Sequence, residues 1–118
     1  MRWGLAGGTT LASINDARDA ARFAEKAGFD SFWISHAMGV DPIVALACIG
    51  GDFPGIGEVG TSVVPLYSRH PVGLAQLART AQNALGGRFT LGVGAASKRL
   101  VEDVLGLTWD KPYSYTRE

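Results

Sequence analysis

Cysteine is nearly absent: Cys48 is the single thiol in 118 residues. It can build neither an internal disulfide framework nor a cysteine metal cluster, and a lone thiol suits a reducing compartment, so a cytoplasmic setting is expected. Net charge is absent as well. Eleven Lys and Arg balance eleven Asp and Glu. That removes the field that draws a protein to nucleic acid or to an anionic membrane, and neither is expected as a partner. Long apolar runs are missing: the longest, Ile43 to Ile49, falls far short of the ~20 residues of a membrane span. Met1 to Ala6 meet Gly7, Gly8, Thr9 and Thr10 before the ~7–15 apolar residues of a signal peptide can accumulate. Paired carboxylates at the ends of the apolar segments, a Ser/His/Asp set and a His/Asp/Glu cluster at ligand spacing are also lacking. No metal is expected, and difficult chemistry would fall to an organic cofactor that the protein positions.

What the chain has in excess is glycine, 16 of 118 residues, roughly twice the usual ~7%. These glycines punctuate a regular alternation. Arg2 to Ala6 reads as a short strand stopped by Gly7-Gly8. Ser13 with Asp16 three residues on has capping-box spacing, and Ile14, Ala17, Ala20, Ala21, Ala24 and Ala27 form one helical stripe that Gly28 closes. Ser31 to Ser35 is a second strand, and Asp41-Pro42 opens a short apolar helix to Ile49. Val59 to Pro65 is a third strand whose near-continuous apolar character fits burial on both faces. Pro71 opens a helix that Gly86-Gly87 ends. Phe89 to Val93 is a fourth strand, Ser97 caps a short helix to Leu105, and Thr108 to Glu118 reads as a loop and the start of another helix.

The four strand centres fall 28 or 29 residues apart. Strands separated by a helix at that spacing are parallel, which leaves an open doubly wound sheet or a closed (β/α)8 barrel. A dinucleotide-binding open sheet needs Gly-x-Gly-x-x-Gly after strand one and an acidic residue ending strand two. Gly4, Gly7 and Gly8 do not match that spacing, and strand two ends Ser35-His36. The barrel is therefore favoured, and the expected fold is α/β, the first half of a (β/α)8 TIM barrel with four parallel strands alternating with helices. Such a barrel takes about 250 residues. Residues 1–118 are thus expected to be the N-terminal half of one barrel domain, with strands one and four as bare edges. A fragment of a longer protein, or a half that pairs with a second copy, satisfies that expectation.

Barrel chemistry sits at the C-terminal strand ends, which nominates Gly7 to Thr10, Ser35 to Ala37, Thr61 to Pro65 and Gly92 to Ser97. Two readings are open for His36: an imidazole that donates a hydrogen bond or exchanges a proton near neutral pH, or a histidine satisfied by a neighbouring carbonyl. His70, before Pro71, reads as a cap or packing residue. Thr61 to Val64 is either an ordinary buried strand or one that presses against a planar ligand. Gly92-Val93-Gly94 either admits a ligand to the backbone or makes a plain turn, and Ser97 offers a hydroxyl and free amides at a helix start.

Several segments, in order and at their spacing, resemble the luciferase-like monooxygenase superfamily, in particular its coenzyme F420-dependent oxidoreductases. They are Ala24-Glu25-Lys26-Ala27-Gly28-Phe29-Asp30-Ser31 with Trp33, the Gly60 to Pro65 strand, Arg69-His70-Pro71 with Leu74-Ala75, and Gly87-Arg88-Phe89-Thr90-Leu91-Gly92-Val93-Gly94. The resemblance implies a barrel holding F420, or alternatively FMN, at the C-terminal strand ends. It implies that His36 lies near the deazaflavin ring as the catalytic residue, with Ser35 where members often carry Asp. Thr61, Ser62, Val63 and Val64 match a strand with a bulge or a non-proline cis peptide behind the ring. Gly92, Val93, Gly94 and Ser97 match a cofactor-lining region. The implied reaction is hydride transfer between reduced F420 and a small organic substrate. Rival readings are an FMN-dependent monooxygenase and a half-barrel without catalysis. The expected partners are a small-molecule substrate and either a second copy of the chain or the remaining barrel half.

Overall fold

The structure is a computed structural model that describes residues 1–8 and 11–117. Thr9, Thr10 and Glu118, part of the nominated strand-one end and of the tail, lie outside the described residues. The elements alternate as expected: β1 (Gly4–Ala6), α1 (Ile14–Lys26), β2 (Ser31–Ile34), α2 (Pro42–Ile49), β3 (Glu58–Thr61), β4 (Val64–Pro65), α3 (Pro71–Ala84), β5 (Phe89–Thr90), β6 (Val93–Gly94) and α4 (Pro112–Arg117).

The sheet is parallel, in the order β1-β2-β3-β5. Strands therefore follow one another in space as they do in sequence, as consecutive barrel strands must. A doubly wound sheet would reverse its order at a switch point. The outer edges of β1 and β5 pair with nothing among the described residues.

Two of the four expected strands are interrupted. Val59 to Pro65 divides into β3 and β4 around Ser62 and Val63, whose peptide bond is cis. Phe89 to Val93 divides into β5 and β6, and β4 pairs with β6 as a separate parallel ladder. Val59 faces Phe89, thirty positions on, whereas Val64 faces Val93, only twenty-nine on. One extra residue therefore sits in the third strand, which is a bulge. The segment after Ser97 also differs from expectation: Leu100–Val104 is a π-helical turn, not an α-helix, although the Ser97 hydroxyl still accepts the Leu100 N–H at 3.2 Å.

Capping residues fix where the helices begin. Ser13 accepts the Asp16 N–H at 3.1 Å, and the Asp16 carboxylate accepts the Ser13 N–H at 3.0 Å, the reciprocal pair that the spacing predicts. Asp41 accepts the N–H groups of Ile43 and Val44, both at 3.0 Å. At α3 the cap is His70, whose Nδ1 accepts the Val72 N–H at 3.2 Å.

The core lies between the sheet and its helices. Ala17, Ala21 and Ala24 of α1 and Ile43, Leu46 and Ile49 of α2 pack with Phe32, Ile34, Val59, Val64 and Phe89. Alanine on α1 keeps that helix close to the sheet. Strand alternation sends Trp33 to the opposite face, where its indole covers two glycines: a Cβ on Gly60 would lie 2.4 Å from the ring, and one on Gly4 would lie 3.0 Å from it. Gly4 and Gly60 are glycine to make room for this tryptophan.

Candidate functional site

The bulge opens a cleft at the C-terminal ends of β2, β4 and β6. It has a volume of about 210 Å³ and is lined by Ser35, His36, Ser62, Val63, Pro65, Ala96, Ser97 and Leu100. All of these but Leu100 fall in the strand ends nominated from sequence, and Ser35, His36, Ser62, Val63 and Ser97 are among the residues that the resemblance implicates. Thr61 and Val64 lie behind the cleft wall, at 1% and 0% exposure. Val63 and Val93 stand open to solvent.

Strand two grips the Ser62–Val63 peptide from one side. Ser62 N–H donates to Ile34 O at 3.0 Å, Ser35 Oγ donates to Ser62 O at 2.6 Å, and His36 N–H donates to Val63 O at 3.1 Å. From the other side, Val64 N–H donates to Gly92 O at 2.9 Å. Thr61 Oγ1 donates to that same carbonyl at 2.8 Å and accepts the Gly92 N–H at 2.9 Å. A side-chain hydroxyl replaces the ladder bonds that the bulge removes. Gly92 is glycine for a local reason, since a Cβ there would lie 2.0 Å from the Thr61 carbonyl oxygen. A Cβ on Gly94 would likewise meet Val63 Cγ2 at 2.8 Å. The close approach at these glycines is made by the neighbouring strand.

His36 is not satisfied by a carbonyl at Nδ1: that atom is buried and has no hydrogen-bond partner. Burial, and next the Arg69 guanidinium, hold its imidazole below the ordinary value, against the opposing charge of Asp41. The ring is accordingly neutral at physiological pH. Asp41 is ion-paired with Arg69 in addition to capping α2. Burial would raise the Asp41 carboxyl, but the Val44 N–H, the bond and charge of Arg69, and the Ile43 N–H together bring it below the usual carboxylate range. The sequence gives Asp41 only its capping role and Arg69 only a place in a family segment, not their pairing. The pair spans 28 positions, and no local pattern announces such a contact.

The tail returns to the same end of the sheet. Tyr67 and Tyr115 stack with centroids 4.3 Å apart, and Tyr67 OH donates to Asp110 O at 2.8 Å. A larger hollow, about 630 Å³, lies elsewhere, between α3 and the free edge of β5, with Ala78, Gln82, Phe89 and Leu91 in its wall. It is an open trough beside an unpaired strand and shares no lining residue with the cleft, so its size does not make it the site. Among the described residues no cluster of three His, Cys, Asp or Glu could hold a metal, and no helix is long and apolar enough to cross a membrane.

A consecutive parallel sheet with a bulge and an imidazole at its C-terminal ends defines a barrel-type α/β protein with a strand-end site. The chain belongs to the luciferase-like monooxygenase family, whose sequence model matches residues 2–118. It is 38% identical over 95 residues to a Mycobacterium tuberculosis protein provisionally named a coenzyme F420-dependent oxidoreductase, covering 80% of this chain and 27% of that one. It is 30% identical over 99 residues to the 5,10-methylenetetrahydromethanopterin reductase of Methanolobus tindarius, covering 83% of this chain and 30% of that one. Among solved structures, the oxygenating constituent of 3,6-diketocamphane monooxygenase from Pseudomonas putida, in complex with FMN, superposes with a TM-score of 0.79 at 22% identity, over 99% of this chain and 36% of that one. The coenzyme F420-dependent tetrahydromethanopterin reductase of Methanopyrus kandleri does so with a TM-score of 0.78 at 22% identity, over 94% and 31%. The chain spans less than a third of the length of these curated relatives. Its parallel strands alternating with helices form part of such a barrel, and its family members are oxidoreductases and monooxygenases.

Proposed function

We propose that the protein transfers a hydride between reduced F420 and a small organic substrate, with the cofactor ring against the cleft that His36 lines. The observation that carries this reading is the 38% identity, across 80% of the chain, to a protein provisionally named a coenzyme F420-dependent oxidoreductase. The residues present fit a flat heteroaromatic group. Val63 and Val93, 43% and 39% exposed, offer apolar surface at the strand ends. Ser62 and Ser97 offer hydroxyls beside it, and the His36 imidazole has a bare buried nitrogen. Bound there, reduced F420 would supply the hydride. Ser62 and Val63 form the supporting wall with Thr61 and Val64 behind them, Gly92 to Gly94 lie on the neighbouring strand, and His36 orients the substrate as the neutral imidazole or protonates it as the imidazolium.

The free edges of β1 and β5 are completed in this reading by further barrel strands or by a second copy of the chain. Titrating the protein with F420 and following the cofactor's fluorescence tests the proposal. A saturable change is expected. No change, or FMN retained as yellow flavin through gel filtration with F420 unable to displace it, would overturn it in favour of the flavin monooxygenase.

A further inference from the structure

Loop 35–41 carries His36 from the end of β2 to the start of α2. Its first residues are tied down by the Ser35 and His36 bonds to the Ser62–Val63 peptide. Its far end is tied by Val40 N–H to Leu11 O at 3.0 Å and by Asp41. The Asp41 carboxylate divides its oxygens: Oδ1 takes both helix N–H groups, and Oδ2 meets Arg69 Nη2. Arg69 rides the turn that ends β4, where its N–H donates to Leu66 O at 3.1 Å. The ion pair therefore clasps the loop leaving β2 to the turn leaving β4, at the open end of the sheet.

Neither neighbouring helix requires that cation. Asp41 caps α2 through Oδ1, and α3 has its own cap in His70. The Arg69 side chain is 15% exposed and that of Asp41 29%, so the pair bears a desolvation cost that an apolar pair of similar volume would avoid. Arg69 Nε is also buried without a partner. A costly, incompletely satisfied guanidinium on a turn clasped to the loop of His36, whose imidazole has a bare nitrogen and feels that charge, suits a role directed at the imidazole.

We propose that Arg69 is a positioning residue for His36: clasped to Asp41, it holds the far end of the loop that carries the imidazole and sets a fixed cation near it. The inference rests on the reading that His36 works at the reacting centre, and its test needs no turnover. The chain has two histidines, so NMR titration resolves each, with H70N assigning the second. In R69M the His36 midpoint should move up, with His70 unmoved, and R69K should restore it toward the wild-type value. In D41N the helix keeps its cap, because Asn caps as well as Asp. The clasp is broken, and the His36 amide, donated to Val63 O, should exchange faster.

An unchanged His36 midpoint in a folded R69M would overturn the proposal. So would unchanged amide exchange in D41N, which decides the matter if R69M does not fold. F420 that leaves the His36 signals unmoved while the variant effects appear would count against the cofactor reading and leave the clasp standing.

Discussion

The Thr61 hydroxyl spans both backbone polar groups of Gly92, donating to its carbonyl at 2.8 Å and accepting its N–H at 2.9 Å. It thereby bridges the strands where the bulge interrupts their ladder. T61V should lose about 1–3 kcal/mol, since it leaves the half-buried Gly92 N–H without its partner while the Gly92 carbonyl keeps only the Val64 N–H, and T61S should recover most of that. G92A should cost more, because the new Cβ would start 2.0 Å from the Thr61 carbonyl oxygen. Urea unfolding of the three variants checks the order.

Arg88 fastens the opposite end of the half-barrel. Its guanidinium donates to Leu85 O at 3.3 Å, Phe53 O at 3.2 Å, Ile56 O at 2.7 Å and Gly50 O at 2.8 Å. Those carbonyls belong to the segment between α2 and β3 and to the end of α3. R88A leaves four acceptors without this partner and should cost at least about 2 kcal/mol. R88K should recover little, since an ammonium cannot reproduce the planar fork. The Tm of each variant is the measurement.

Two groups give stability a pH dependence, in separate windows. Asp41 has a lowered folded value, so its contribution is present above the ordinary carboxyl value of about 3.9 and is lost as pH falls through the lower folded value. His36 is also lowered. The unfolded imidazole takes a proton near pH 6.5, about where the folded one still resists, so stability falls from there down to the folded value. H36N should flatten the upper window and D41N the lower one. Denaturant midpoints measured across pH report both.

Val63 is exposed at the cleft wall. V63E should therefore change stability by no more than about 0.5 kcal/mol, while setting a charge where an apolar ring is proposed to lie. F420 affinity should fall at least tenfold, about 1.4 kcal/mol. Tight binding by V63E would remove the ring from that wall.

Much of this architecture is legible locally. Ser13 with Asp16, Asp41 with Pro42, and the 28- or 29-residue spacing each encode one element through nearest neighbours in sequence, and parallel order follows from the helices between strands. The split of Val59 to Pro65 is not legible from pattern alone. Thr-Ser-Val-Val reads as continuous strand, and the extra residue exists only relative to Phe89 to Val93 across the gap. The family resemblance, not the pattern, marked that place for a bulge or cis peptide. The Asp41–Arg69 clasp and the Tyr67–Tyr115 stack escape for the same reason: both join distant residues whose local signals are fully accounted for by a cap, a turn and a tail. The π-helical turn at Leu100–Val104 carries no period that separates it from an α-helix over so short a span.

The cofactor's place in the cleft is tested most directly by adding F420 to the isotope-labelled protein and following its amide signals. The signals of Ser35, His36, Ser62, Val63 and Ser97 should shift together and saturate at one concentration, while those of Gln82 and Phe89, at the trough beside β5, stay still. Shifts confined to the trough, or none that saturate in the cleft, would contradict the account.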